Sequence, residues 1–323
     1  MRTSTDSSSP RDPASPPGIA AVPDRPDDVR RTLQTLGIAP SKAWGQSFLA
    51  DPFVADAEAA LVGVEPGRPI VEVGGGLGIL TAAIVRRGLG PLTVIERDAR
   101  LAAFLRVTFG DRIRLLEADA LEVELPPADC VVGNLPYSVA TPILLRLFAA
   151  RVPRIVFLVQ REVAERIAAG PGSKQYGRLS IIAQLYGSVE LFRPVPADAF
   201  VPRPEVESRL AVHVARTGPL PVSSVPALEH QVQVLFSSRR KQLGNLLPRL
   251  APDREADRVA QESGWPADWR RLRPEALPPE AYFALAEILA QRGWGKPGAP
   301  SDPGVPARPP PKRTKQGPEP HAG

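Results

Sequence analysis

From Ile70 to Val159 the chain alternates short apolar runs with stretches of helical spacing, and few folds accept that order. The runs are Ile70–Val73, Leu92–Glu96, Ile113–Glu117, Cys130–Gly133 and Ile155–Val159; helical spacing fills 77–87, 98–108 and 139–150. Strands that alternate with helices build a parallel sheet covered on both faces, an α/β fold. Ligands on such sheets sit at the carboxyl ends of the strands. The residues picked out below fall at those ends.

Outside this block the chain divides by composition. At 323 residues with 43% apolar side chains, it has material for about two domains. Residues 1–27 and 293–323 are dominated by Pro, Gly, Ser and charge, a composition that cannot bury enough apolar surface to order itself. The expected domains are 28–216, carrying the sheet, and 217–292, in which Thr217–Pro226 is a linker and the chain from Ala227 to about Arg292 is helical throughout. Before the sheet, Asp28–Leu36 has helical spacing, and Asp51-Pro52 has the form of an N-cap with proline at the first helical position. After it come helices at Arg161–Ala169 and Arg178–Tyr186, then extended segments at Val189–Pro194 and Val206–Val214.

Several function classes drop out. No apolar run approaches a membrane span, and the amino terminus lacks the apolar core of a secretory signal, so a cytoplasmic protein is expected. Cys130 is the lone cysteine and the three histidines show no ligand spacing, so no structural metal is expected. Cys130 is open to two readings, a nucleophile or a small packed residue. A net charge of +5 leans modestly toward polyanions.

Glu72-Val73-Gly74-Gly75-Gly76-Leu77-Gly78 follows the first strand and opens a helix. Glycines there let the backbone turn sharply and approach a ligand. Glu96, 22 positions after Gly74, ends the next strand, where a carboxylate can accept from both ribose hydroxyls of an adenosine. A nicotinamide dinucleotide uses the same logic, but here the glycines run G-G-G-x-G, and Glu72 beside them would repel a pyrophosphate. Asp119 ends the third strand and can accept from an adenine amino group or cap its own turn. This order of strand-end groups points to S-adenosylmethionine.

Asn134-Leu135-Pro136-Tyr137 closes the fourth strand as a pocket for a flat, hydrogen-bonding ring. Proline fixes its φ and aims a carbonyl, Asn adds an amide oxygen, and Tyr offers a stacking face.

With these residues the chain resembles the ribosomal RNA adenine N6,N6-dimethyltransferases, from about Lys42 to Ala290. Gly45-Gln46-Ser47-Phe48-Leu49 is similar to the family's amino-terminal cofactor motif, with Ser47 where Asn is usual. Glu72–Thr81 is similar to the glycine-rich motif, with Gly75 where proline is usual. Gln160–Ala164, Gly172–Ser180, Phe200–Ser208, Phe236–Leu243 and Arg273–Leu277 also resemble family segments. The resemblance implies a Rossmann-like S-adenosylmethionine-dependent methyltransferase domain followed by a helical RNA-binding domain. It implies catalytic roles for Asn134, Pro136 and Tyr137, and cofactor contacts from Ser47, Leu49, Gly74, Gly76, Glu96, Asp119 and Asn134. Substrate contacts are expected from Leu135, Tyr137 and Phe200, with Phe200 either facing the base opposite Tyr137 or plugging the sheet. Arg239-Arg240-Lys241, expected to start a helix, would grip RNA phosphates or form a solvated face. Residues 230–273 hold nine Arg or Lys against five Asp or Glu. The implied substrate is small-subunit (16S) rRNA in an immature subunit, modified at two adjacent adenines of the 3′ terminal hairpin loop by a monomer. The competing expectations are a large-subunit enzyme of antibiotic resistance, an assembly factor whose chemistry is secondary, and a nicotinamide dehydrogenase.

Overall fold

Runs as short and apolar as Ile70-Val71-Glu72-Val73 and Cys130-Val131-Val132-Gly133 become the centre of a sheet when both faces are covered, and here both are buried almost throughout. The computed structural model describes residues 22–40 and 46–295. Residues 1–21, 41–45 and 296–323 lie outside it, and with them Gly45 of the amino-terminal motif. The chain divides into two compact units between Pro221 and Val222.

In the first unit the order is α1 (Pro26–Thr35), β1 (Phe48–Leu49), α2 (Pro52–Ala60), β2 (Ile70–Val73), α3 (Ile79–Arg86), β3 (Leu92–Glu96), α4 (Ala99–Phe109), β4 (Arg114–Glu117), β5 (Cys130–Asn134), α5 (Ala140–Ala149), β6 (Arg154–Gln160), α6 (Arg161–Ala168), α7 (Arg178–Tyr186), β7 (Gly187–Val195), β8 (Phe200–Val201) and β9 (Ser208–Ala215). Helix α1 starts at Pro26, two residues inside the segment expected to be a tail. Asp51 caps α2 as its sequence suggests, accepting from Phe53 N at 2.9 Å, with Pro52 in the first turn.

Seven strands form one sheet in the order β4-β3-β2-β5-β6-β9-β7. The first five are parallel, with Ile70 opposite Cys130 and Glu72 opposite Val132 in the central pair. Strand β9 then runs antiparallel to both β6 and β7, so the sheet is mixed rather than purely parallel. From β2 the chain winds outward to β3 and β4, and from β5 in the opposite sense to β6. The carboxyl ends of β2 and β5 therefore flank the switch point, where loops on either side splay apart and leave a crevice.

A separate two-stranded pair, β1 with β8, brings Phe48 opposite Val201 and Leu49 opposite Phe200. Ala50 N donates to Ala199 O at 2.8 Å and extends it. This pair ties the amino-terminal motif to the segment near residue 200.

Close approach explains the glycine before Asn134. A Cβ on Gly133 would sit 2.5 Å from the carbonyl oxygen of Val73 on the neighbouring strand. Gly133→Ala is expected to push β2 and β5 apart and cost about 1–3 kcal/mol, read as a fall in thermal midpoint.

The second unit carries α8 (Val225–Phe236), α9 (Asp253–Glu262) and α10 (Pro279–Gln291), with four 3₁₀ turns between them. Its buried residues include Leu228, Val232, Leu235, Leu247, Val259, Tyr282, Leu285, Leu289 and Trp265, whose indole donates to Ala281 O at 3.2 Å. Order continues past α10, since Trp294 N donates to Leu289 O at 2.8 Å, in a segment expected to open the tail.

Candidate active site

The two halves of the crevice come from loops that leave neighbouring strands. After β2, Gly74 and Gly76 take φ of 81° and 54°, left-handed values that glycine adopts without strain. That turn directs Gly76 N onto the Glu96 carboxylate at 3.0 Å, and Asp98 N reaches its other oxygen at 2.9 Å. Glu96, 6% exposed, is thus held at the end of β3 with lone pairs to spare. Burial raises its pKa, and the backbone N–H bonds from Asp98 and Gly76 work against that.

Ser47, Leu49, Gly74, Gly76, Glu96, Asp119, Asn134, Leu135, Pro136 and Tyr137 all line this one crevice, with Phe48, Leu77, Ile95 and Leu101 adding apolar wall. Its empty space, with the open mouth included, is about 1160 Å³. Asp119 meets the turn-cap expectation and borders the crevice. Its Oδ1 accepts from Leu121 N at 2.9 Å, and Arg97 approaches Oδ2 at 3.4 Å.

The Asn134–Tyr137 corner is braced from three sides. Leu135 N donates to Leu158 O at 3.1 Å, and Val139 N donates to Pro136 O at 3.0 Å. One lone pair of the Pro136 carbonyl is therefore engaged, which fixes its direction and leaves the second. The Tyr137 hydroxyl shares a hydrogen bond with Ser208 Oγ at 2.7 Å. Burial raises the Tyr137 pKa, so the ring is a neutral phenol at physiological pH.

Other expected residues lie elsewhere. Phe200 is 3% exposed, packs in the core with Leu49, Ile79 and Leu210, and does not line the crevice. The β1–β8 pairing turns the ring into that core, so the plug is the arrangement seen. Arg239, Arg240 and Lys241 belong to the second unit and do not start a helix. They lie in the turn that follows α8, because Ser237 Oγ donates back to Val234 O at 2.7 Å and Lys241 N to Ser238 O at 2.8 Å. The Arg239 guanidinium sits 5.9 Å over the Phe236 ring; Arg240 and Lys241 are exposed. Cys130 is fully buried, with its thiol pushed up to about 12, mainly by burial, so packing is its role.

Ser208 is a residue that sequence reasoning missed as a contact. It lies 71 positions from Tyr137, and only the strand pairing of β9 brings it there. Ser208→Ala is expected to loosen the ring, lowering kcat/KM about 3- to 10-fold, since one neutral hydrogen bond is worth about 0.5–1.5 kcal/mol.

The donor set suits a nucleoside with a cationic tail: a strand-end carboxylate for a ribose, apolar walls for a purine, and no cation in the glycine turn for a pyrophosphate. Comparison with known proteins decides which. The family model for ribosomal RNA adenine dimethylase matches residues 40–265. The chain belongs to that family. A ribosomal RNA small subunit methyltransferase A from Anaeromyxobacter dehalogenans is 40% identical over 69% of this chain and 84% of its own length. The protein of the same name from Acidovorax ebreus is 39% identical over 77% of this chain and 97% of its own. Among solved structures, a dimethyladenosine transferase from Plasmodium falciparum superposes with a TM-score of 0.65 at 20% identity, over 76% of this chain and 98% of that one, and shows the shared fold. The 23S rRNA methyltransferase ErmE superposes with a TM-score of 0.60 at 25% identity, over 76% of this chain and all of its own. The chain is thus an enzyme, an rRNA adenine N6,N6-dimethyltransferase with a Rossmann-like sheet and S-adenosylmethionine as methyl donor.

Proposed function

We propose that this dimethyltransferase acts on small-subunit (16S) rRNA, at two adjacent adenines of the 3′ terminal hairpin loop, as a cytoplasmic monomer working on the immature subunit. The observation that carries this reading is the match to small-subunit methyltransferases along 84–97% of their length. A cytoplasmic site of action agrees with the described residues, which contain no helix long and apolar enough to cross a membrane.

The residues assign themselves to steps by their chemistry. An adenine N6 is a weak nucleophile because its lone pair is delocalised into the ring. The Asn134 amide oxygen and the Pro136 carbonyl accept its two N–H bonds, draw the nitrogen toward tetrahedral geometry and localise that lone pair. When bound, S-adenosylmethionine supplies an electrophilic methyl group on its sulfonium. Glu96 holds the ribose, Asp119 meets the adenine amino group, and Ser47, Leu49, Gly74 and Gly76 line the rest of the cofactor's length. Tyr137 stacks on the target base, worth about 1–3 kcal/mol toward holding it unstacked from its RNA neighbours, and Leu135 supports the ring. No dedicated base is needed, because the ammonium formed on N6 loses its proton readily.

Arg239, Arg240 and Lys241 grip RNA phosphates. Neutralising all three is expected to weaken RNA binding and to flatten its dependence on salt by about one unit of slope per lost phosphate contact. An unchanged slope would return the turn to a solvated surface.

The substrate is tested by offering the enzyme naked small-subunit RNA, under-assembled small subunits and large-subunit RNA, and mapping the modified bases. Dimethyladenosine pairs confined to the small-subunit 3′ loop are expected. Modification of a large-subunit adenine instead would place the chain with the resistance enzymes. Maturation of subunits in cells carrying Asn134→Ala separates chemistry from an assembly role.

A further inference from the structure

Three buried carboxyl groups, two in the crevice wall and one on α2 near Glu72, form no ion pair among the described residues. Glu72 on β2 is 1% exposed, Glu96 at the end of β3 is 6% exposed, and Glu58 on α2 is wholly buried. No salt bridge among the described residues reaches any of them. Their hydrogen bonding is unequal. Glu96 accepts two backbone N–H groups, Glu72 accepts one hydroxyl, Thr81 Oγ1 at 2.7 Å, and both oxygens of Glu58 lack a partner.

Buried carboxyls without countercharge keep a proton rather than ionise, and donors decide which ionises first. Glu96, with two donors, is then the easiest of the three to ionise, Glu58, with none, the hardest, and Glu72 lies between them. Facing Glu72 are Thr81 from α3, Glu96 from β3 and Glu58 from α2. Strands β5 and β6 bring Cys130 and Arg154 to the Glu58 side, where the Arg154 guanidinium donates to Leu61 O at 2.7 Å. Burial pushes Glu72 up to about 8, the Thr81 hydroxyl opposes this and the Glu96 charge adds to it. Burial also raises Glu58 well above the ordinary carboxylate range, and any charge on Glu72 would add to that. Of the two protonated groups, only Glu72 lines the crevice.

We propose that Glu72 holds a proton in the free enzyme and gives it up when the cationic amino-acid end of S-adenosylmethionine enters. The acid O–H bond breaks, the proton leaves to solvent, and the carboxylate remains as counter-ion. This rests on the crevice being the cofactor site. Because the ligand selects the ionised form, affinity falls as pH drops below about 8. Between pH 7 and 6 the dissociation constant rises about tenfold, while the cofactor's own α-amino group stays protonated.

The test is titration calorimetry at pH 6.5 in buffers of different ionisation enthalpy, with S-adenosylmethionine and 5′-methylthioadenosine as probes. S-adenosylmethionine should release about one proton per site, and 5′-methylthioadenosine, which has no cation, should release none. Binding of S-adenosylmethionine without proton exchange, or equal release by both probes, overturns the proposal. Glu72→Gln should bind without release, whereas Glu58→Gln should keep it; loss of release in Glu58→Gln would assign the proton to Glu58 instead. Should Glu72→Gln fail to fold, the wild-type dissociation constant decides, because a flat profile from pH 6 to 7 contradicts the linkage. Absence of S-adenosylmethionine binding at every pH would remove the cofactor reading itself, a distinct outcome.

Discussion

Asn134→Ala is expected to lower methyl transfer by at least about 10²-fold, the scale seen when one preorganised polar group is removed from a transition state. Cofactor affinity should change by only a few-fold. The asymmetry comes from where the groups lie. Glu96, the proposed ribose acceptor, and the turn that holds it belong to β3 and the loop after β2, whereas Asn134 ends β5 and faces the same crevice from the other side of the switch point. Losing the amide oxygen leaves the Pro136 carbonyl to meet the amine alone, so the lone pair stays in the ring. Single-turnover transfer and equilibrium cofactor binding, measured on the same preparation, separate the two effects. A variant that kept full activity would remove Asn134 from the chemistry.

Glu96→Ala should act on the opposite half. The carboxylate accepts from Gly76 N and Asp98 N and, in the proposed cofactor mode, from two ribose hydroxyls. Hydrogen bonds to a charged group contribute about 1.5–3 kcal/mol each, so a loss of two predicts a dissociation constant raised about 10²-fold or more. The rate at saturating cofactor should be far less affected, because Glu96 stands away from the Asn134–Tyr137 corner. Glu96→Gln, which keeps one acceptor oxygen, should fall between. Cofactor binding by calorimetry gives the ranking directly.

What was legible in the chain followed from local physics. Buried strands such as β2 and β5 show as apolar runs closed by glycine or a polar residue, and the Asp51 cap is a two-residue signal. The crevice residues sit at strand ends, so identifying the strands located them. Pairing was a different matter. The direction of β9 does not follow from the burial alternation of Ser208–Ala215, and two-residue strands such as β1 and β8 are too short for any period. The fate of Phe200 depended on that hidden pair, which turns its ring into the core. Ser208 reached Tyr137 only through long-range pairing. Glu58 reads as one more polar residue of an Ala-rich helix, and only burial from α3 and the sheet makes it unusual.

The central claim is that one amide oxygen and one main-chain oxygen share the exocyclic amine. It is tested most directly by a structure of the enzyme with S-adenosylhomocysteine and adenosine, or a short loop RNA, in the crevice. Adenine N6 should lie about 2.7–3.2 Å from both Asn134 Oδ1 and Pro136 O, with the Tyr137 ring stacked on the base. An adenine whose N6 points away from both oxygens would contradict the account.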